Sequence, residues 1–261
     1  HLPLLRLAGL RLQQYPYYDY KNHGIDFDAM IDTFNKLGVG DLVLLHGCCH
    51  NPCGADLSRD QWDRLADLFE SRGIVPFLDF AYQGLADGLE EDAYGVRLMA
   101  ERLDEVIVVT SCSKNFGLYR ERVGMTSVIS KDVKQAKVAQ SNLCNVARGI
   151  YSMPPDHGAA IVSRVLNDNE LSAIWIEELA QMRERLNDLR HLIVDKLNER
   201  GAPRDFSFIA SERGMFSFLG ISQEQAIRLR EEFHVYTLES GRINVAGINQ
   251  SNVDYVADAI V

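Results

Sequence analysis

Over its first two thirds the chain alternates short apolar runs with amphipathic stretches, and this alternation constrains the fold more than any other feature. Leu42-Val-Leu-Leu45 reads as a buried parallel strand. Ser58 and Gln61 then form a capping-box pattern, Trp62, Leu65, Ala66 and Phe69 repeat at helical spacing, and Gly73 suits a C-cap. The next strand is Ile74-Val-Pro-Phe-Leu78, although Pro76 argues against a central position in a sheet. A helix carrying Val96, Met99 and Leu103 leads to a strand at 106–110, followed by a strand at 125–129 and a polar helix over 133–146. Such alternation predicts an α/β domain with a mostly parallel sheet.

The texture changes near Asp168. A long helical stretch runs to Arg200, with Ile174, Leu179, Met182, Leu186, Leu189, Ile193 and Leu197 on or near one face. Beyond Gly201 the pattern gives strands at 206–209, 215–218, 235–238 and 242–245, a capped helix from Ser222 to Phe233, and a terminal helix opening at Ser251. The expected organisation is a large domain over 1–167 and a smaller α+β domain over 168–261, bridged by the helix at about 168–200.

Bulk properties narrow the function. The 261 residues carry a net charge of −10, which argues against a nucleic-acid or anionic-membrane surface. No apolar run approaches the length of a membrane span. Cys48, Cys49, Cys53, Cys112 and Cys144 are odd in number and loosely spaced, which fits a reducing cytoplasm better than a disulfide framework. The tract His46-Gly-Cys-Cys-His-Asn-Pro-Cys53 lacks the second Cys/His pair of a closed zinc site, so no metal is expected there.

Ligands of open α/β sheets bind beyond the carboxyl ends of the strands. Three successive strands here run into polar residues at that end: His46 to Asn51, Asp79-Phe-Ala-Tyr82, and Ser111-Cys-Ser-Lys114. A lysine held where a strand leaves the core can be desolvated into a nucleophile, and neighbouring hydroxyls and arginines suit a phosphate. The same residues also suit an exposed Lys/Arg loop. The chemistry favoured by the combination is a Schiff base with a phosphorylated aldehyde, pyridoxal 5'-phosphate. Lys114 would hold the cofactor and move the substrate proton. Asp79 would pair with the pyridine nitrogen. Tyr82 and Asn51 would bond the phenolic oxygen, Ser111 and Arg122 the phosphate, with Arg120 left as a solvated charge. Arg242, between Gly241 and an apolar strand, would take a substrate carboxylate, unless it is a salt-bridged strand arginine.

At these residues the chain resembles the class I aminotransferases, in the aspartate and aromatic amino-acid subgroup. The matching segments are His50-Asn-Pro-Cys-Gly54, Asp79-Phe-Ala-Tyr-Gln-Gly84, Ser111-Cys-Ser-Lys-Asn-Phe-Gly117 through Arg122-Val-Gly124, Tyr151-Ser-Met-Pro-Pro155 and Ser240-Gly-Arg-Ile-Asn-Val-Ala-Gly247. The resemblance implies fold type I, pyridoxal phosphate, amino-acid and 2-oxo-acid substrates, and a homodimer with shared sites. It assigns Lys114, Asp79, Tyr82, Asn51, Ser111, Arg122 and Arg242 the roles given above. It further implies that Arg148 reaches the neighbouring subunit's site to pair with a dicarboxylate, and that His1 supports Asp79 from behind.

Cys53 stands where threonine is usual in this family, and Met153 where asparagine is common. Both departures lean toward the aromatic enzymes. The expected reaction is ping-pong transfer of an amino group between an aromatic amino acid, or aspartate, and 2-oxoglutarate; an aspartate-specific enzyme is the alternative. The family's N-terminal portion is absent before His1, so the large-domain sheet is expected to be incomplete and the isolated piece inactive or very weak. The rival reading is a folded remnant or interaction module without catalysis.

Overall fold

The computed structural model describes residues 1–261. The chain opens with α1 (Leu2–Leu7), a small hairpin of β1 (Tyr18–Asp19) and β2 (Gly24–Ile25), and α2 (Phe27–Phe34). The α/β portion follows: β3 (Leu42–His46), α3 (Arg59–Arg72), β4 (Val75–Phe80), α4 (Tyr94–Arg102), β5 (Val106–Ser111), β6 (Gly124–Ile129), α5 (Val133–Tyr151) and α6 (His157–Leu166). A 31-residue helix, α7 (Asn169–Glu199), leads to α8 (Ser207–Ser211), β7 (Phe216–Phe218), α9 (Gln223–Phe233), β8 (Arg242–Asn244) and α10 (Val253–Ile260).

The main sheet has the order β3-β4-β5-β6. Helical crossovers make β3, β4 and β5 parallel, whereas β6 returns from β5 through a loop without a helix and pairs antiparallel. Pro76 lies in a central strand without breaking it. It pairs with Val43 of β3, and the ladder between β4 and β5 begins only at Phe77. The proline therefore sits beyond the end of the second ladder. The capping box of Ser58 and Gln61 opens α3, and Gly73 closes it in the left-handed region at φ 64°.

Two hydrophobic clusters form the interior. One gathers β3, β4 and β5 against α2, α3 and α4 around Leu45, Leu65, Phe69, Leu78 and Met99. The other joins α7, α8, α9 and α10 around Ile193, Leu197, Ile209 and Leu229. Leu179 and Leu186 of α7 belong to the first, and Leu189, Ile193, Val194 and Leu197 to the second. Ile174 and Met182, expected on the buried stripe, are exposed.

Two expected strands are absent. Residues 206–209 fall in and just before α8, because the Asp205 carboxylate accepts hydrogen bonds from the Ser207 N–H and hydroxyl and starts a helical turn. Phe206 and Ile209 are then buried at a spacing of three, not two. Residues 235–238 find no partner strand: Leu238 donates to Arg242 O, and Gly241 donates back to Leu238 O, closing a turn. The polar helix over 133–146 extends to Tyr151, and none of its residues is buried.

Helices α3 and α4 meet at Trp62 and Gly95, where a Cβ on Gly95 would lie 2.3 Å from the indole ring. Gly95→Ala is expected to destabilise the chain by about 1–3 kcal/mol through overpacking, more than the ~1 kcal/mol that alanine returns as helix propensity. A lowered urea midpoint with an unchanged slope would register it.

Candidate active site

The register of the main sheet sets the site. His46 pairs with Asp79, and Phe80 with Thr110, so the carboxyl ends of three parallel strands finish side by side. From these ends project Asn51, Asp79 and Tyr82, and Ser111 with Lys114.

Their contacts link up. The Lys114 Nζ lies 4.4 Å from the centroid of the Tyr82 ring. The Tyr82 hydroxyl accepts from Asn51 Nδ2 at 3.5 Å, and Asn51 Oδ1 accepts from Arg242 Nη1 at 3.2 Å. Arg242 begins β8 and lies over the ring of Phe216 on the paired strand β7. Residues 191 positions apart are thus in one polar chain. On the other side His1 Nε2 sits 2.7 Å from Asp79 Oδ2, and its ring meets His46 edge-on. Sequence reading assigned no role to His46. It is half-buried, and its Nδ1 accepts the Asn51 N–H at 3.3 Å. His50 continues the column, 4.3 Å from His46 and stacked at 4.0 Å on Tyr17.

Burial lowers the Lys114 amine from its usual value; the Asp79 charge opposes this and Arg122 adds to it. Burial raises the Tyr82 phenol, and the Asn51 hydrogen bond offsets part of that rise. Burial also pushes His46 and His50 below their usual values, and the Asp79 charge opposes this in both.

Ser111 and Arg122 flank Lys114. The Ser111 hydroxyl accepts the Ser113 N–H at 3.1 Å and donates to Ser113 Oγ at 3.0 Å. Arg122 is exposed, has φ 53°, and donates to Tyr119 O at 2.7 Å. Arg120 is exposed. Arg148 does not join the other site residues: near the end of α5 it is exposed and donates to Ser152 Oγ at 2.8 Å.

Backbone donors rather than cations hold the two loops. Asp56 accepts from the N–H groups of Cys49 and His50 at 2.6 and 2.8 Å, fixing the turn before Asn51, and burial pushes its carboxyl up to about 6. Asp92 accepts four N–H groups, from Gly84, Ala86, Asp87 and Gly88, at 2.8–3.1 Å. Two groupings in the Cys/His region have donors close enough for a metal, His1/His46/Asp79 and Cys48/Cys49/Asp92. In the second, the four N–H bonds already engage the Asp92 oxygens.

Arg190, unassigned from sequence, is fully buried within the apolar stripe of α7. Its guanidinium donates to the carbonyls of Ile209, Arg213, Gly214 and Phe216 and faces Glu212 at 3.5 Å. An arginine flanked by Leu186, Leu189 and Ile193 was the available signal.

No helix is long and apolar enough to cross a membrane. Comparison with known proteins places these residues in context. The family model for aminotransferase class I and II matches residues 1–260, and the chain belongs to that family. It is 49% identical to the aspartate aminotransferase of Escherichia coli (strain K12), over all of this chain and 66% of that protein. It is 46% identical to the aromatic-amino-acid aminotransferase of Pseudomonas aeruginosa, over all of this chain and 65% of that protein. The crystal structure of the aromatic-amino-acid aminotransferase from Burkholderia pseudomallei, covalently bound to pyridoxal phosphate, superposes with a TM-score of 0.97 at 47% identity, covering all of this chain and 65% of that one. The chain therefore spans about 66% of the length of the curated relatives it matches, and the α/β fold expected from the sequence is the fold of these enzymes.

Removing Arg190 would leave Glu212 buried without its cation, and Arg190→Met is expected to cost about 3–5 kcal/mol at pH 8. Burial already raises the Glu212 carboxyl above its ordinary range. A carboxyl raised in the folded state binds its proton more tightly folded than unfolded. Its stability contribution is thus greatest below the ordinary carboxylate range and is lost as pH rises through the folded value. The deficit of the variant should therefore shrink between pH 8 and pH 5, measured by urea unfolding at both.

Proposed function

We propose that this chain carries the pyridoxal phosphate and substrate groups of an aminotransferase that exchanges amino groups between an aromatic amino acid, or aspartate, and 2-oxoglutarate. The observation that carries the reading is the linked set Lys114–Tyr82–Asn51–Arg242, with Asp79 braced by His1 on its other side.

The donor set fits the cofactor. Asp79 offers a carboxylate to a pyridine nitrogen, and His1 holds that carboxylate in place. Tyr82 and Asn51 offer a phenol and an amide to a phenolic oxygen, while Ser111, Ser113 and Arg122 supply hydroxyls and a guanidinium beside Lys114 for a phosphate. Pyridoxal phosphate, when bound, supplies an electron sink conjugated to the substrate Cα.

Lys114 is the base that takes the substrate Cα proton. Burial lowers its amine from the usual value, the direction in which a lysine becomes a better candidate base. Arg242 binds the α-carboxylate, turning toward it from Asn51 with a planar fork suited to two oxygens. Tyr82, itself buried, holds the amine over its ring face.

The relatives' names span both aspartate and aromatic enzymes, so both substrates stand in the proposal. Arg148, exposed near the end of α5 with its side chain bonded only to Ser152, suits a role across a homodimer. In support, α5 exposes Val138, Leu143, Val146 and Ile150, an apolar face that a second copy would cover. The two hydrophobic clusters support the division into a large domain (1–167) and a smaller one (168–261), with α7 as the bridge.

Incubation with pyridoxal phosphate, borohydride reduction and peptide mapping should place a covalent adduct on Lys114. The adduct should be lost in Lys114→Ala. No adduct, or one only on other lysines, would overturn the assignment. Relative kcat/KM for phenylalanine and aspartate, with 2-oxoglutarate as acceptor, would then rank the two substrates.

A further inference from the structure

One face of α7 reaches both loops that carry the reactive residues. Trp175 Nε1–H donates to Asn115 O at 2.8 Å, and its ring stacks on Phe116 at 4.4 Å with planes 13° apart. Asn115 and Phe116 directly follow Lys114. One turn on, Leu179 packs against Gly84, where φ is +91° and a Cβ would come within 2.5 Å of the leucine. Arg183 then donates to Gly84 O and Asn187 to Ala86 O, each at 3.3 Å. Residues 175, 179, 183 and 187 are spaced four apart, so they form one ridge along the helix. A cross-tie joins the two loops directly, from Asn115 Nδ2 to Gln83 O at 3.3 Å.

We propose that Trp175 is a positioning residue for Lys114. Its N–H and its ring fix the two residues after the lysine to the same helical ridge that fixes the Tyr82 loop. The Lys114 loop leaves β5 as a turn, with Gly117 N–H bonded to Lys114 O, and it has no strand partner beyond Ser111. Without the indole, little on the α7 side would keep the lysine side chain against the Tyr82 ring. Ridge spacing on a rigid helix sets the distance between amine and phenol more firmly than either loop could alone. What Lys114 does in the reaction rests on the function proposed above; its placement does not.

The test reads the lysine itself. Competitive acetylation of the cofactor-free chain across pH, quantified by peptide mass spectrometry, yields the titration of the Lys114 amine. Trp175→Phe keeps a ring on Phe116 and removes the N–H. Phe116→Leu removes the stack from the loop side. Both are expected to release the amine toward solvent and raise its midpoint by about half a unit, roughly three-fold in proton affinity. Trp62→Phe, which trims a buried indole on α3 packed against Gly95 of α4, controls for general loosening and should leave the midpoint unchanged. An unchanged Lys114 midpoint in Trp175→Phe overturns the proposal, as does an equal shift in Trp62→Phe. Should Trp175→Phe fail to fold, Phe116→Leu decides by the same criterion. Because no cofactor enters the measurement, failure of the borohydride adduct and failure of the positioning role are read separately.

Discussion

A single guanidinium holds the two halves of the interior in register. Arg190 is fully buried, and four backbone carbonyls plus Glu212 engage its Nη1 and Nη2, while its Nε has no partner. Four of those groups lie in the short stretch from Glu212 to Phe216, which enters β7. Because β7 pairs with β8, the position of this charge fixes Phe216, and Phe216 underlies Arg242. A buried charge tolerates little displacement, since each lost carbonyl bond exposes the full cost of desolvation. Arg242, for which carboxylate binding is proposed, thus inherits its place from a second, buried arginine.

The parallel architecture was legible because periodicity and capping agreed along the first part of the chain. Ser58, Gln61 and Gly73 mark a helix at both ends, and the buried set of Trp62, Leu65, Ala66 and Phe69 follows from them. The sequence rules failed where short segments carry mixed signals. Phe206-Ser-Phe-Ile209 alternates like a strand, but the preceding Asp205 turns it into a helix. Val235 to Leu238 has β-branched content but no neighbour to pair with. Pro76 argues against a central strand in sequence terms because sheet staggering, which leaves one end of β4 outside the second ladder, is invisible there.

The polar residues at the three strand ends were found because the strand-end rule needs only their order. Their mutual contacts were not foreseeable. Nothing in the spacing says that Asn51 meets Arg242, or that His46 accepts from the Asn51 backbone. Arg148 differs in kind: it is exposed on α5, so its proposed role depends on a neighbour and not on this chain's own packing. Trp175 gives no signal of its own in the sequence, since an aromatic at the start of a helical stripe looks like ordinary core.

The Asp92 carboxylate organises the loop after Tyr82 with four backbone N–H groups and no cation. Peptide dipoles near a buried carboxylate are not displaced by mobile ions, whereas exposed pairs such as Arg97–Glu90 and Lys131–Asp104 weaken as salt shortens the Debye length, from about 10 Å at 0.1 M to about 3 Å at 1 M. The chain therefore separates two electrostatic regimes. Its periphery rests on pairs that salt weakens, while the loop after Tyr82 rests on backbone dipoles around a buried carboxylate that salt screens much less.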